Sequence, residues 1–328
     1  MPRIVLDADF VKFEAASLAE ERSIVVTHKK SGNQKEFATR TEFWGDWRKK
    51  EGGWLAEQNK SRLSPLLPEE FDVEDKQVIK SMCVAKQVVR SRIDSICAKA
   101  GTDDYYGYVS KGVSFREGIS TVLQYKGNRT GLIRPLLLDE VSEYLIKRHN
   151  CTYQEYWEVD DKVIMDWYAD KSLIVIMVDK DAMGCEVNLL NPDTMDEPME
   201  IRGLGGLWID GNKQVKGYGR KWLYQQVLSS DSADNYAANS ATDMKWGPKS
   251  AYNLLAPCQT DAECFKAMLQ GYRKLYPEKK SIVGWKGDTI EIDALYMLNE
   301  NFQLARMRRF EGDEFHVKDV LTKLKIGF

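Results

Sequence analysis

The sequence is poor in the residues that build the commonest metal and redox sites. Its cysteines, Cys83, Cys97, Cys151, Cys185, Cys258 and Cys264, include no CxxC or CxxxC pair. Zinc ribbons and redox motifs need that closeness, because their ligands converge on one ion or one bond. Reduced, partly buried thiols are expected at a length of 328 residues, not a disulfide framework. Histidine is scarcer still: His28, His149 and His316 stand far apart, which disfavours imidazole-rich metal sites and most histidine-based hydrolases. The longest apolar runs, such as LIVIMV at 173–178, are too short to cross a bilayer. MPRIVLDAD also lacks the charged-then-apolar layout of a secretion signal. A cytoplasmic chain with no membrane partner is expected, in a host cytoplasm if a phage encodes it. Nor does one sign of charge dominate. With 47 basic and 50 acidic residues the net charge is −3, so bulk positive charge does not coat this protein with nucleic acid. No internal repeat or low-complexity tract stands out.

What is present is a globular composition, 43% hydrophobic and 30% charged, enough to bury a real core. RIVLDADFVKF reads as a buried strand (Ile4, Val5, Leu6) running into two aspartates. Residues 23–70 are polar, aromatic and glycine-punctuated with no clean period, so they read as an insertion of hairpin and loops. From Asp75 to about Ala98, Val78, Met82, Ala85, Val89, Ile93 and Ile96 step by three and four, predicting an amphipathic helix that stops at Gly101. Strands are expected at 105–109, 151–157 and 173–178, and helices from Pro135 and over 160–169. This alternation predicts an α/β fold with a mostly parallel central sheet flanked by helices. After about residue 200 the pattern turns helical, at 218–229, 249–256 and 261–275 behind a Thr260/Asp261 cap. The composition shift near 195–215, with GLGG at 203–206, sets the expected boundary. A nuclease-like core covers 1–200 and a helical part covers 201–328.

The acids sit where strands are expected to end. Asp7 and Asp9 follow the first strand, Asp179 and Asp181 follow LIVIMV, and Glu158, Asp160 and Asp161 follow the strand near Trp157. Open α/β sheets place ligands at the carboxyl ends of their strands, so these acids are expected to share one cleft with Asp231 and Asp234. Such crowding raises carboxyl pKa values, and a pair 4 Å apart repels by about 4 kcal/mol at an effective dielectric near 20. Two divalent cations with oxygen ligands, magnesium or manganese, relieve it and suit phosphodiester hydrolysis. Each acid taken alone fits a helix cap or a solvated loop, as Asp160 and Asp161 would at a helix N-terminus. Between the second strand and Pro135, Lys126 and Arg129 could hold a scissile phosphate and Tyr125 could stack on a base.

VLDAD at 5–9, FR and YKGNR within 115–129, WEVDD at 157–161, VDKD at 178–181, SSDSADN at 229–235 and KWGPKSAYNLL at 245–255 occur in one order. That order resembles the 5′-nuclease family: bacteriophage 5′→3′ exonucleases, flap endonucleases and the 5′-nuclease domains of bacterial DNA polymerases. The resemblance covers roughly residues 4–10 and 104–256. It implies a PIN-like core with a helix–three-turn–helix near 229–256 and two magnesium or manganese ions. It also implies a role for each matched position. Asp7, the E-x-D-D set of Glu158, Asp160 and Asp161, the D-x-D pair Asp179 and Asp181, and the D-x-x-D pair Asp231 and Asp234 would be metal ligands. Lys126 and Arg129 would position the substrate phosphate beside Tyr125. Arg116, Gly247 and Lys249 would contact nucleic acid, the last two in a turn that commonly also holds potassium.

The chain departs from the family at three places. Ser110 stands where the second strand usually ends in aspartate; Asp9 is expected to substitute if the first strand continues. Lys245 replaces the first glycine of the turn, which counts against potassium more than against phosphate contact. Few residues separate Arg129 from Pro135, too few for a long helical arch. The implied activity is hydrolysis from 5′ ends of duplex DNA, with flaps, nicks and RNA of RNA–DNA hybrids as related substrates. The implied protein is a monomer, with replication proteins as further partners. Two other readings remain. One is a haloacid dehalogenase-like phosphatase with Asp7 as nucleophile, Asp9 as general acid and Lys126 beside the phosphate. The other is an inactive nucleic-acid-binding module, motivated by Ser110. The insertion interleaves Lys29, Lys30, Arg40, Arg48, Lys49 and Lys50 with Trp44, Trp47 and Trp54; this pattern suits either a single-strand grip or packing against the core.

Overall fold

A computed structural model describes residues 3–46 and 52–328. Among them, six strands form the central sheet: β1 (Ile4–Asp7), β2 (Tyr105–Ser110), β3 (Cys151–Gln154), β4 (Ile174–Ile176), β5 (Asn188–Leu190) and β6 (Met199–Glu200). Their spatial order is β3-β2-β1-β4-β5-β6. Every pairing is parallel except β5 with β6. Parallel strands covered on both faces must be apolar throughout, and Ile4, Val5, Leu6 and Ile174–Ile176 are buried without alternation. Gly107 of β2 is required by close approach, since a Cβ there would lie 2.8 Å from the Leu6 carbonyl oxygen. The helix Val159–Ala169 lays Val159, Val163, Ile164 and Trp167 against Val5, Val175 and Leu189. The strand order reverses between β1 and β4, which is where open sheets leave a crevice at their carboxyl ends.

The expected helices after residue 200 appear as Arg220–Val227, Pro248–Leu255 and Asp261–Leu275, the last capped by the Thr260 hydroxyl accepting from the Glu263 N–H. Two further helices, Ala294–Ala305 and Val317–Lys323, and the hairpins 206–218 and 280–292 complete this part. The glycines at 203–206 do not mark a unit boundary. The chain divides instead into one unit of residues up to Phe10, Arg92–Ile133 and Leu145–Phe328, and a second of Val11–Ser91 and Arg134–Tyr144.

The second unit holds an antiparallel sheet in the order Gln34–Phe37, Glu20–His28, Phe71–Ile79. The helix expected from Asp75 begins only at Met82, since residues 71–79 pair one-for-one with 20–28. Val78, counted on the helical face, is 47% exposed in that strand. Farther on, Ala85, Val89, Ile93 and Ile96 are buried as their spacing predicts. The insertion has its own small core of Ile24, Val26, Phe37, Phe43, Leu55 and Phe71, against which Trp44 and Trp54 pack. Lys29, Lys30 and Arg40 pair with Asp72, Glu70 and Asp75. These residues therefore serve packing and ion pairing within the unit. Trp47, Arg48, Lys49 and Lys50 lie outside the described residues. No helix among the described residues is long and apolar enough to cross a membrane, and the six cysteines are free thiols.

Candidate active site

The carboxylates are delivered by five separate segments. Asp7 ends β1 and is buried, its Oδ1 accepting the Asp9 N–H at 2.9 Å. The strand does not continue: Asp9 opens the helix Asp9–Leu18 and accepts the Ser110 N–H at 3.0 Å. Asp9 therefore does not share a strand face with Asp7, although its charge still reaches it. Glu158 is the N-cap position of the helix Val159–Ala169, with Asp160 and Asp161 in its first turn, where the helix dipole favours negative charge. Asp179 and Asp181 flank Lys180 just past β4, and the Asp179 side chain accepts the Asp181 N–H at 2.8 Å. Asp231 and Asp234 lie on the short hairpin 230–237.

Electrostatics divide these acids. Burial and the Asp9 carboxylate push the Asp7 carboxyl up to about 7, with Asp179 adding to the rise. Burial, then Asp7, Asp179 and Glu158, raise Asp160 well above the ordinary carboxylate range. Burial, Asp179 and Asp231 do the same to Asp181. Asp179 is thus the charge felt by both groups. Asp234 is also raised, by burial and by Glu158 and Asp231, against the pull of Lys126. Two acids behave oppositely. Glu158 is half-buried, and though desolvation pushes its carboxyl up, Arg116 and Lys126 hold it down at about 2. Asp231 is buried, yet Lys180, 2.6 Å away, holds it below its ordinary value.

Asp161 departs from the expected ligand role. It is fully buried, Arg116 grips both its oxygens, and the Arg308 N–H donates to it at 2.7 Å. Its charge is already matched inside the protein. Arg116 is likewise not a nucleic-acid contact, being 3% exposed. Its guanidinium bonds Asp161, Glu158 at 2.6 Å and the carbonyls of Leu304 and Arg306. Tyr125 offers no ring face for stacking, since it is 2% exposed; its hydroxyl lies 3.0 Å from both Glu158 and Asp234.

Lys126 and Arg129 are accessible at the rim. Lys126 Nζ donates to Glu158 at 2.5 Å and sits 3.7 Å from Asp234, while Arg129 bonds Asp234 at 3.3 Å and the Ala233 carbonyl at 3.0 Å. Lys126 has a left-handed backbone, φ 54°, unusual for a residue with a Cβ, and the Asp234 carbonyl accepts its N–H. Burial alone would lower its pKa, but Glu158 and Asp234 raise it, so the ammonium stays charged. Gly247 precedes the helix Pro248–Leu255 with extended backbone, and Lys249 is exposed in its first turn.

Three participants escaped the sequence reading. Lys180 was hidden between the two acids it separates. Gln226 donates to Asp181 from the helix Arg220–Val227. Tyr236 is buried with a hydroxyl that finds no partner, and Asp181, Asp231 and Asp234 raise its pKa beyond what burial does. Nothing in a lone tyrosine or glutamine marks it for such a place.

Among the described residues, no group of three or more histidine, cysteine, aspartate or glutamate side chains is arranged to enclose a metal ion. The donors are carboxylate oxygens, suited to hard cations. The residues therefore fit an ion that keeps most of its water and takes one or two carboxylates, as magnesium does, not a closed cage. No protein-family model matches the chain, and no curated protein matches it.

Proposed function

We propose that this chain is a metal-dependent 5′-nuclease with a PIN-like core, hydrolysing phosphodiester bonds from 5′ ends of duplex DNA. Flaps and RNA in RNA–DNA hybrids are its related substrates. The observation that carries this reading is the convergence of Asp7, Asp160, Asp179 and Asp181 at the point where the strand order reverses, with three of the four carboxyls raised by one another and by burial. A protein that keeps such a crowd has a use for cations. Asp7, Asp160, Asp179 and Asp181 would lend one or two carboxylates to each divalent ion, which keeps the rest of its water, with Asp234 nearby. When bound, such ions acidify water and offset charge growing on the leaving oxygen.

The protein's own groups do the rest. Lys126 remains an ammonium and so acts as a donor, not as a base. One of its three N–H bonds is committed to Glu158 and the others can reach a phosphate oxygen. Arg129, held by Asp234 and the Ala233 carbonyl, presents a second donor in a fixed direction. Arg116 keeps Glu158 and Asp161 in place from behind. Gly247 and Lys249 offer a sequence-independent contact to duplex backbone. Residues 130–137 contain no helix, which suits an open groove and exonucleolytic cleavage.

The test is a panel of 5′-labelled duplex, nicked, flap and hybrid substrates with magnesium, manganese or chelator, reading product lengths. Cleavage that requires the metal and disappears in Asp179→Asn and Asp181→Ala, with folding intact, is expected. Cleavage in chelator, or undiminished turnover in Asp179→Asn, would overturn the assignment.

A further inference from the structure

An open cleft of about 1130 Å³ adjoins the acids, and apart from Asp179 and Lys249 its lining takes no part in the chemistry above. It is lined by Asp179 and Lys180, by the hairpin 206–218, and by Pro248 and Lys249. Its charged lining is one carboxylate, Asp179, against four ammonium groups from Lys180, Lys213, Lys216 and Lys249. Lys180 is already paired with Asp231, which leaves the net positive field to the three exposed lysines. Among them stands Trp208, a large aromatic left 45% exposed. An antiparallel register sets Trp208 opposite Lys216 and Gly206 opposite Tyr218, so Trp208, Lys216 and Tyr218 share one face of the hairpin.

The hairpin is built to hold its position. Its root closes on Gly205 and Gly219, with φ of +69° and +72°, and a Cβ on Gly205 would fall 1.9 Å from the Tyr218 carbonyl oxygen. The root is tied to the segment bearing the acids: the Gly219 N–H donates to the Met183 carbonyl at 2.8 Å, and the Trp222 indole donates to the Lys180 carbonyl at 3.0 Å. A ligand in this cleft is therefore registered against Asp179.

We propose that the cleft is a track for an unpaired nucleic-acid strand, with a base stacked on Trp208 and phosphates against Lys213, Lys216 and Lys249; this rests on the nuclease reading. An aromatic face beside lysines fits a single strand better than a duplex, because a duplex buries its base faces and shows only edges and phosphates. Stacking on one exposed ring is tolerant of sequence, as a general nuclease needs.

The experiment is fluorescence anisotropy of the full chain in chelator, with a labelled single strand of about 16 nucleotides and a hairpin duplex as probes. Trp208→Ala should weaken single-strand binding about tenfold, and Trp208→Phe should retain most of it. Replacing Lys213, Lys216 and Lys249 by Gln should flatten the salt dependence of single-strand binding by a slope of about 2. Val283→Ala, an exposed position that does not line the cleft, should bind as wild type. Unchanged single-strand affinity in Trp208→Ala and in the lysine variant overturns the proposal, as does a loss confined to the duplex. If wild type still cleaves with metal in that case, the nuclease reading stands and only the track falls. If wild type binds the strand through these residues but cleaves with neither metal, the track stands and the nuclease reading falls.

Discussion

Glu158 and Asp161 are as crowded as Asp7, Asp160 and Asp179, yet the two sets are neutralised differently. The first set meets buried Arg116 and, at the rim, Lys126, and its charges are matched at hydrogen-bonding distance. The second set meets chiefly its own kind. Asp160 and Asp161, consecutive in one helical turn, therefore do opposite work. One half stiffens the floor of the crevice, and the other relieves its mutual repulsion by holding on to protons. Position at a strand end does not by itself distinguish a ligand from a strut; the nearest guanidinium does.

The sharpest way to break this contrast is Arg116→Ala. It strands Asp161 as an unpaired buried charge, so the loss should be about 3–5 kcal/mol, read from the urea midpoint. A midpoint left in place would mean that the inner acids are not held as described. Next comes magnesium itself: at about one hundred times its Kd it should raise the unfolding free energy by about 2.7 kcal/mol. Asp179→Asn should erase that gain, and a gain that survives it would move the ion elsewhere. Without any divalent ion, Asp160→Asn should stabilise the protein by roughly 1–2 kcal/mol, a fraction of the ~4 kcal/mol repulsion of a pair 4 Å apart. A destabilised variant in chelator would show that the hydrogen bond between Asp160 and Asp7 outweighs their repulsion.

Smaller effects refine the comparison. Tyr236→Phe deletes a buried hydroxyl that has no partner, so thermal unfolding should show a gain of about 1 kcal/mol; a loss would reveal a hidden bond. Farther away, Asp261 is an ordinary paired acid. Burial pushes its carboxyl up, but Arg220 and Tyr224 outweigh this and hold it below the usual range. Its contribution is thus present above the ordinary carboxylate pKa and is lost as pH falls below it. Asp261→Asn should cost a fraction of a kcal/mol near pH 7 and nothing near pH 2, as a pH series of unfolding midpoints would record. A constant difference across that series would contradict the pairing.

Much of the core was legible because its strands are short apolar runs ended by acids, a pattern with few alternatives. The strands expected at 105–109 and 173–178 and the helix expected over 160–169 appear as Tyr105–Ser110, Ile174–Ile176 and Val159–Ala169. The strand 71–79 was not legible, since its pairing with 20–28 is a long-range fact that overrides the spacing of Val78 and Met82. The same limit misled the reading of Arg116 and Tyr125. A cation and an aromatic near a phosphate motif look like substrate contacts until depth is known, and both are buried. Asp9 failed for a local reason: the strand turns into a helix one residue too soon.

The grip of Arg116 on the carbonyls of Leu304 and Arg306, and of Asp161 on the Arg308 amide, has a temporal side. A ribosome makes Asp7 first and Arg308 about three hundred residues later. A nascent chain stalled before that arginine carries every acid of the crevice, yet Asp161 still lacks the Arg308 amide that donates to it.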